Sequence, residues 1–316
     1  MLRLGLVIVV AIWIAATGGR PALAEGYKFD EIRLPDGDPY LMPVGIDDDG
    51  KVLLTATYRN SDEKEHLLYY KGKFTKLDVM AFNYENVHAM GMNNKGQVIG
   101  VYARSGGLHS FVLTNGVVDT VECPGLTGQE QENGKWAIVK AINDRGWILC
   151  FCQGGMGSNY IFLKRERSIE PFKIHYFNYL NLFKESLPDV TGINISGDIV
   201  GSYLEQTVRR GGEDTNTEVS RTGFIMTGGL PLPIKFPGAS WTLPRGINNA
   251  GFVFGTAVGR TSHGFIWKEG RFTQIDHPGS TITDIVSMNN NGVLVGLYMD
   301  PNKEMFARYR VFIATP

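Results

Sequence analysis

The sequence predicts an all-β fold built from six similar units, and two observations support this prediction. One pattern recurs throughout: a small residue, Ile or Met, Asn or Asp, two variable positions, Gly, another variable position and two apolar residues. The copies start at Gly45, Gly91, Ala141, Gly192, Gly246 and Ser287. These starts lie 41 to 54 residues apart, a period typical of four-stranded propeller blades and too long for β-helix coils. We therefore predict a six-bladed β-propeller of four-stranded antiparallel blades, with a seven-bladed or irregular propeller as the alternative.

The fifth unit shows the predicted blade most clearly. Alternating apolar and polar segments at 241–248, 252–258, 263–267 and 271–276 predict four strands in a meander. Short turns at 248–251 and 268–270 join the first strand to the second and the third to the fourth. A short hairpin loop needs positive φ, so we attribute the recurring Asn and Gly of these turns to their tolerance of that conformation.

The sixth unit lacks a fourth strand. It begins at Ser287, which leaves 30 residues and room for strands at 293–298 and 305–313 only. The N-terminal segment 27–34 resembles the fourth strands of other units, since Lys28-Phe-Asp-Glu-Ile32 matches Arg271-Phe-Thr-Gln-Ile275. We predict that this segment completes the last blade and closes the ring.

The N-terminus predicts export. Arg3 precedes an apolar run at 4–16, and Ala22-Leu23-Ala24 follows, which is the pattern of a secretory signal cleaved after Ala24. Thirteen apolar residues are too few to cross a bilayer, which argues against a membrane anchor. We therefore predict a signal peptide at 1–24 and a single propeller domain at 25–316, without a membrane span after cleavage, in the periplasm or outside the cell.

Composition excludes some partners. The chain has 316 residues, 43% of them hydrophobic and 20% charged, which is typical of a globular protein. The formal net charge is -1, so the chain lacks the basic balance expected of a nucleic-acid-binding protein. We predict no nucleic-acid partner.

Repeated triplets indicate a family. His66-Leu-Leu, His109-Ser-Phe and His263-Gly-Phe accompany the pattern at 246–255 and Phe265-Ile-Trp-Lys-Glu-Gly270. Together they resemble the bacterial probable extracellular repeat, or HAF, family, over residues 27–316. This resemblance implies a secreted or periplasmic β-propeller-like protein. It implies no catalytic residues for this chain.

Most residues with reactive side chains have a structural explanation. When the repeats are aligned, one position holds His66, His109 and His263. Because a polar residue recurs there, we interpret its role as structural. The sequence lacks zinc-ligand spacing, a calcium loop, a nucleophile elbow and any cofactor fingerprint, so we predict neither metal nor cofactor. Cys150 and Cys152 lie at packing positions of one strand, and a bridge from Cys123 to Cys150 or Cys152 is open in an oxidising compartment.

Residues that depart from the repeat are the candidates for binding. Connections between the second and third strands and between units are long, and we expect them on one face, where binding usually resides. The longest of these connections is 204–221, which we expect to be a mobile loop. Candidate contact residues on this face are Arg209, Arg210, Trp136 and Tyr84. Lys140 and Arg245 share the position before the small residue and suggest an anion site near the central channel.

The sequence supports two functions of different classes. The first is a non-catalytic binding or interaction module of the cell envelope, with an unknown small molecule, glycan or protein as partner at the long-loop face. The alternative is a hydrolase or lyase with its site at the long-loop face of the central channel. Whether the protein is an enzyme stays open, and we favour the binding module.

Overall fold

The chain folds into β-sheets in a propeller arrangement. The computed structural model describes residues 22–23, 26–34, 40–58, 64–77, 85–104, 107–123, 136–153, 159–165, 169–171, 188–211, 214–303 and 308–316. These residues form 25 strands and, within the described ranges, no helix. The prediction of an all-β fold is confirmed.

Three antiparallel meanders form separate four-stranded sheets in the first half of the chain. The first meander is β3 (Tyr40–Ile46), β4 (Val52–Thr57), β5 (Lys64–Tyr70) and β6 (Lys73–Lys76). The second is β7 (Glu85–Met92), β8 (Val98–Arg104), β9 (Gly107–Thr114) and β10 (Val117–Val121). The third is β11 (Ala137–Ile142), β12 (Ile148–Gln153), β13 (Asn159–Lys164) and β14 (Ile169–Pro171).

The second half contains three more meanders. The fourth is β15 (Asp189–Ile193), β16 (Ile199–Gly211), β17 (Asp214–Thr227) and β18 (Leu230–Ile234). The fifth is β19 (Trp241–Ile247), β20 (Val253–Val258), β21 (Ser262–Lys268) and β22 (Arg271–Ile275), and β1 (Ala22–Leu23) pairs in parallel with β22. The sixth is β23 (Thr283–Met288), β24 (Leu294–Met299) and β25 (Tyr309–Thr315), joined by β2 (Lys28–Ile32).

The prediction of six separate four-stranded blades is wrong. The structure has four four-stranded sheets, and one nine-stranded sheet holds the fourth and fifth meanders together. The cause is a parallel pairing between Arg221 of β17 and Trp241 of β19. An equivalent parallel bridge joins Ser262 of β21 to Ile282, but Ile282 lies just before β23 and outside any strand. Arg221 and Trp241 both lie within strands, so the fourth and fifth meanders share one hydrogen-bonded sheet.

The N-terminal segment pairs with the end of the chain. β2 runs antiparallel to β25, with Lys28 opposite Thr315 and Ile32 opposite Val311. This strand is the fourth of the last sheet, and Ile32 is buried. Closure of the whole ring by this pairing stays a prediction.

Residues 204–211 and 214–221 form two paired strands, whereas we expected a mobile loop over 204–221. β16 and β17 stay in register from Ile199 opposite Met226 out to Gly211 opposite Asp214. Backbone hydrogen bonding along both strands satisfies the polar groups that a loose loop would expose. The hairpin therefore extends the fourth meander beyond the length of its neighbours.

A small residue of the second strand pairs with a phenylalanine of the third strand in five of the six meanders. The small residue is the ninth after the repeat start, and it is Gly in four meanders and Cys in one. The pairs are Gly100 with Phe111, Cys150 with Phe162, Gly201 with Phe224, Gly255 with Phe265 and Gly296 with Phe312. These rings are almost fully buried. A Cβ at each of the four glycines would overlap a backbone carbonyl oxygen of the first strand, and at Gly100, Gly201 and Gly296 it would also meet the phenylalanine ring. The position therefore favours a small residue.

The repeated asparagine does not serve the purpose that the sequence suggested. Positive φ occurs at the turn glycines, for example Gly251 at 80°, whereas Asn248 is not among the left-handed residues. Instead, Asn248 Oδ1 accepts hydrogen bonds from the backbone N–H groups of Ala250 and Phe252, at 3.1 and 3.0 Å. The asparagine is buried and holds the turn together through its side chain.

Candidate functional site

The candidate site is a cavity of about 140 Å³ lined by the first strands of all six meanders and by the first turns of the second, third, fifth and sixth. In each first strand one extra residue interrupts the pairing with the second strand, which forms a β-bulge. The bulged residues are Val44, Met90, Lys140, Thr191, Arg245 and Val286. All six line the cavity. The repeat therefore presents one variable side chain per meander to a common space.

This ring of six bulged residues has two chemically different halves. Val286, Val44 and Met90 come from the sixth, first and second meanders and are apolar. Lys140, Thr191 and Arg245 come from the third, fourth and fifth meanders and are polar. The two halves are each continuous along the chain order, so a molecule in the cavity meets apolar groups on one side and charged groups on the other.

Carboxylates neutralise both cations of the ring. Lys140 Nζ lies 3.0 Å from Asp189 Oδ1, and Arg245 Nη2 lies 3.2 Å from Asp284 Oδ2. Each aspartate lies three residues before the repeat start of the following meander. The structure thus places Lys140 and Arg245 at the cavity, but each already has an anionic partner.

The two aspartates make further contacts. Arg221 Nη1 lies 3.9 Å from Asp189 Oδ2 and donates to Ser202 Oγ at 3.3 Å. The hydroxyl of Thr256 donates to Asp284. The lysine and arginine are 28% and 45% exposed and the aspartates 41% and 22%, so solvent screens these pairs and a ligand can compete for them. Neither aspartate was predicted from the sequence, although each lies three residues before the next repeat start.

Hydrogen bonds between consecutive first turns surround one end of the cavity. In four turns the Nδ2 of the repeated asparagine donates to the backbone carbonyl of the equivalent residue in the following turn. These asparagines are Asn93, Asn143, Asn248 and Asn289. Ile195 N–H donates to Asn249 Oδ1, and Asp48 N–H donates to Asn94 Oδ1. The link from Asn289 to Asp47 connects the last meander to the first, at 2.9 Å.

The other predicted contact residues lie elsewhere. Trp136 lines a crevice of about 10 Å³ with His109, Thr120 and Glu122, between the second and third meanders. That volume holds about one water molecule. Arg209 and Arg210 lie on β16, opposite Asn216 and Thr215, but their side chains are outside the described part of the structure. Tyr84 lies outside the described residues altogether.

The cysteines divide into a bonded pair and a buried thiol. Cys123 follows β10 and Cys152 lies on β12; a disulfide of 2.01 Å joins them and links the second meander to the third. Cys150 is free and fully buried opposite Phe162. Burial raises the pKa of the Cys150 thiol, so we expect it to be unreactive in the folded protein.

His66 does not share a structural position with the other two triplet histidines, so the alignment of the three is wrong. His109 and His263 lie two residues before the phenylalanine that pairs with Gly100 or Gly255, the ninth residue after the repeat start. His66 lies only one residue before Leu67, which pairs with Leu54 at the equivalent position. One residue of register turns the side chain to the opposite face of the sheet. His66 is therefore buried, and Ser110 is its structural counterpart.

His263 belongs to a polar cluster that the sequence analysis did not identify. Its Nε2 lies 2.7 Å from Thr261 Oγ1, and its Nδ1 lies 2.9 Å from Asp276 Oδ1. Gln274 Nε2 donates to the other oxygen of Asp276 at 2.6 Å. Thr261 is exposed and precedes β21, and Asp276 follows β22, so the cluster lies at the end of the fifth meander away from the first turns.

No metal centre is apparent among the described residues. Within the ranges given above, no three His, Cys, Asp or Glu side chains are arranged to hold a metal ion. In the same part of the chain, no helix has the length and apolar character needed to span a membrane.

Comparison with known proteins gives a resemblance of overall structure alone. No protein-family model matches the chain, and no curated protein matches it. The structure is similar to polysaccharide lyase Uly1, with a TM-score of 0.45 and 10% identity over 88% of this chain and 77% of that chain. It is similar to YCF48 from Cyanidioschyzon merolae, with a TM-score of 0.42 and 11% identity over 90% and 88% of the two chains.

A third similar structure is the six-bladed Aleuria aurantia lectin, described with a novel mode of fucose recognition. The TM-score is 0.37 and the identity 12%, over 74% of this chain and 76% of that chain. Scores and identities this low transfer neither a ligand nor an activity. The resemblance to the HAF family stays a prediction.

Proposed function

We propose that this protein is a binding module of the cell envelope that takes a small molecule in the cavity of about 140 Å³. The observation that carries the proposal is the division of the ring into a charged half and an apolar half. A ligand that matches it has a polar or charged end and an apolar end. Because each cation of the ring already has a carboxylate partner, a zwitterion suits the charged half better than a simple anion.

The chain of turn hydrogen bonds supports a closed ring around this cavity. Each consecutive pair of first turns is linked, and Asn289 links the sixth to the first. The pairing of β2 with β25 is a second connection between the two ends of the chain. We propose that these two junctions hold the ring shut, so that the six bulged residues keep fixed positions around a ligand.

L-Leucine is a suitable probe because it combines an ammonium, a carboxylate and an apolar side chain of small size. We expect it to raise the melting temperature of the protein, since a ligand that binds only the native state stabilises it. Glycine lacks the apolar group and 4-methylpentanoate lacks the ammonium, so both should stabilise less. Differential scanning fluorimetry and isothermal titration calorimetry measure these effects.

The double variant Lys140→Met with Arg245→Met should lose roughly tenfold or more in leucine affinity. The matched control is Lys28→Met with Arg271→Met, which removes two exposed cations outside the cavity. Equal affinity in both double variants would show that the ring does not bind the probe. No stabilisation by any of the three compounds would rule out the proposed ligand class and favour a glycan or protein partner.

Export to the periplasm or the cell exterior is part of this proposal and rests on the leader at 1–24. Cleavage after Ala24 would remove β1 and its pairing with β22. Mass spectrometry of the protein from the exported fraction should then give a chain beginning at Glu25. A chain that keeps its leader in the cytoplasm would contradict the proposal.

A hydrolase is the second candidate, because Thr261, His263 and Asp276 form a hydroxyl–imidazole–carboxylate chain. With Nδ1–H donating to Asp276, Nε2 can accept the proton of the Thr261 hydroxyl, the arrangement of an activated nucleophile. Thr261 Oγ would attack an ester carbonyl while its proton passes to His263. The imidazolium would then protonate the departing alcohol, and water activated by His263 would release the acid and restore Thr261.

Hydrolysis of p-nitrophenyl acetate and labelling by a fluorophosphonate test this candidate. We expect Thr261→Val and Asp276→Asn to lower the rate by roughly a hundredfold or more, and peptide mapping to place the label on Thr261. Thr281→Val, an exposed threonine on a neighbouring connection, is the control. A rate that Thr261→Val leaves unchanged would rule out this nucleophile.

A further inference from the structure

A second cavity lies between the second and third meanders, on the side of the first turns. Its volume is about 220 Å³, several times the roughly 30 Å³ that one water molecule occupies in the liquid. Four of its lining side chains are cations: Lys95, Arg145, Lys164 and Arg165. We name this cavity the basic groove. In the part of the chain that the structure describes, Asp119 is the one carboxylate that lines the groove.

The basic groove differs from the ring of the first cavity in its charge compensation. Lys140 and Arg245 each have an aspartate within ion-pair distance. Among the residues that the structure describes, Lys95, Arg145 and Lys164 have no carboxylate at that distance. Four cations confined in a concave site with one carboxylate give it an excess of positive charge, which raises the local concentration of anions.

The groove arises where two neighbouring repeats both depart from the common pattern. Lys95 and Arg145 occupy the same position, the second variable residue of the turn. The other four copies have Asp49, Ser196, Ala250 and Asn291 there. Cations at this position therefore come from two adjacent meanders and face one space. The formal charge of the whole chain is -1, so the groove is a local feature and not part of a generally basic surface.

Trp147 positions the two arginines. The guanidinium carbon of Arg165 lies 4.3 Å from the centre of the Trp147 ring, and that of Arg145 lies 5.0 Å from it. Stacking on an aromatic ring leaves the edge of a guanidinium group, with its N–H donors, directed away from the ring. Such donors match the oxygens of phosphate and sulfate groups, which arginine binds in a bidentate manner.

We propose that the basic groove is a binding site for a tetrahedral oxyanion, a phosphate or sulfate group either free or carried on a sugar. Lys95, Arg145 and Lys164 supply the charge, and the guanidinium group of Arg145, which lies over the Trp147 ring, supplies directed donors. This site is separate from the first cavity and does not depend on the function proposed for that cavity.

Isothermal titration calorimetry with inorganic phosphate, inorganic sulfate and glucose 6-phosphate tests the proposal, with acetate and glucose as controls. We expect saturable binding of the tetrahedral anions and weaker or no binding of acetate and glucose. Tighter binding of glucose 6-phosphate than of phosphate would identify the group as one carried on a sugar. Equal affinities would identify the free ion as sufficient.

The double variant Arg145→Gln with Lys164→Gln should weaken anion binding roughly tenfold or more, because two charge-assisted contacts are lost. Arg271→Gln with Lys303→Gln removes the same charge from exposed positions outside the groove and should leave the affinity within about twofold. Circular dichroism melts would verify that both variants fold. Equal weakening in the two variants, or no saturable binding by the native protein, would overturn the proposal.

Discussion

His66 is buried in the first sheet, and both of its ring nitrogens have partners. Nε2 lies 3.1 Å from the carbonyl oxygen of Val87 in the next meander, and Nδ1 lies 3.1 Å from Thr55 Oγ1. A carbonyl oxygen accepts only, so Nε2 carries the hydrogen and Nδ1 accepts from the threonine. Burial holds the pKa of His66 below its usual value. The neutral ring therefore links two meanders.

Acidification should weaken the protein through His66. Its pKa is lower in the folded chain than in the unfolded chain, where it is about 6.5. The unfolded state then binds more protons, so stability is complete above about pH 6.5 and falls as the pH drops towards the folded-state pKa. Urea unfolding at pH 7 and pH 5 should show this loss.

The variant His66→Ser separates this effect from the other histidines. Serine fits because Ser110 occupies the equivalent place, where its hydroxyl donates to the carbonyl of Ala137 and accepts from Val139 N–H. We expect the variant to be less stable at pH 7 by about 1–3 kcal/mol. Its further loss on going to pH 5 should be smaller than in the native protein. An unchanged loss would mean that His66 does not cause the pH dependence.

Residue-scale roles were only partly visible in the sequence. The repeat correctly located the turns, but it could not distinguish an asparagine needed for positive φ from one whose side chain caps the turn, because both favour the same residue. It also aligned His66 with His109, since a one-residue difference in register leaves a triplet pattern intact. Side-chain partners decide such cases, and they depend on the neighbouring meander.

The second strand of five meanders has a small residue, Gly or Cys, opposite the buried phenylalanine of the third strand. A Cβ at Gly255 would overlap the carbonyl oxygen of Leu243 in β19. At Gly91, by contrast, the nearest atom to a Cβ is a side-chain carbon of Ile99 at 3.5 Å. Ala141 naturally occupies the position equivalent to Gly91. Two glycines of the same repeat therefore have different tolerance.

Gly255→Ala should destabilise the protein by about 3 kcal/mol or more, since overpacked strands must move apart. Gly91→Ala is the matched control and should change the free energy of unfolding by less than about 1 kcal/mol, in either direction. Urea unfolding followed by tryptophan fluorescence measures both. Similar effects of the two substitutions would show that strand packing does not select the glycine at 255.

The sequence predicted the positions of strands well where the repeat units are alike and poorly where they differ. The four strands of the fifth meander were located from their turns. The hairpin of β16 and β17 was not, because its polar composition resembles a solvated loop, while backbone pairing with a partner strand decides its conformation. A single parallel pairing, Arg221 with Trp241, joins two meanders into one sheet, which no repeat spacing reveals.

At the scale of the whole molecule, the first cavity and the basic groove differ in how far the sequence predicts them. The ring around the first cavity follows from the repeat, since each bulged residue sits immediately before the repeat start, and Lys140 and Arg245 were identified on that basis. Asp189 and Asp284 were missed because each belongs to the next unit. The cations of the basic groove come from the first turns of the second and third meanders and from the end of β13, the third strand of the third meander. These residues therefore come together only in three dimensions.

Removal of residues 25–34 tests whether the N-terminal strand holds the ring together. Without β2, the backbone of β25 loses its partner along five paired residues, and the buried side chain of Ile32 no longer covers the core. An unpaired edge at the junction between the ends of the chain should weaken every neighbouring contact, including the link from Asn289 to Asp47. We expect the melting temperature to fall by many degrees relative to a chain that begins at Glu25.

A point variant at the same junction distinguishes loss of the strand from loss of the ring. Asn289→Asp keeps the oxygen that accepts from Asn291 and Val293 N–H, but it removes the donor to the carbonyl of Asp47. If the ring is closed, this variant should also melt earlier, and more so at neutral pH than at acid pH, where the buried carboxyl is protonated. A truncated chain that melts with the parent would show that the ring stays intact without its N-terminal strand.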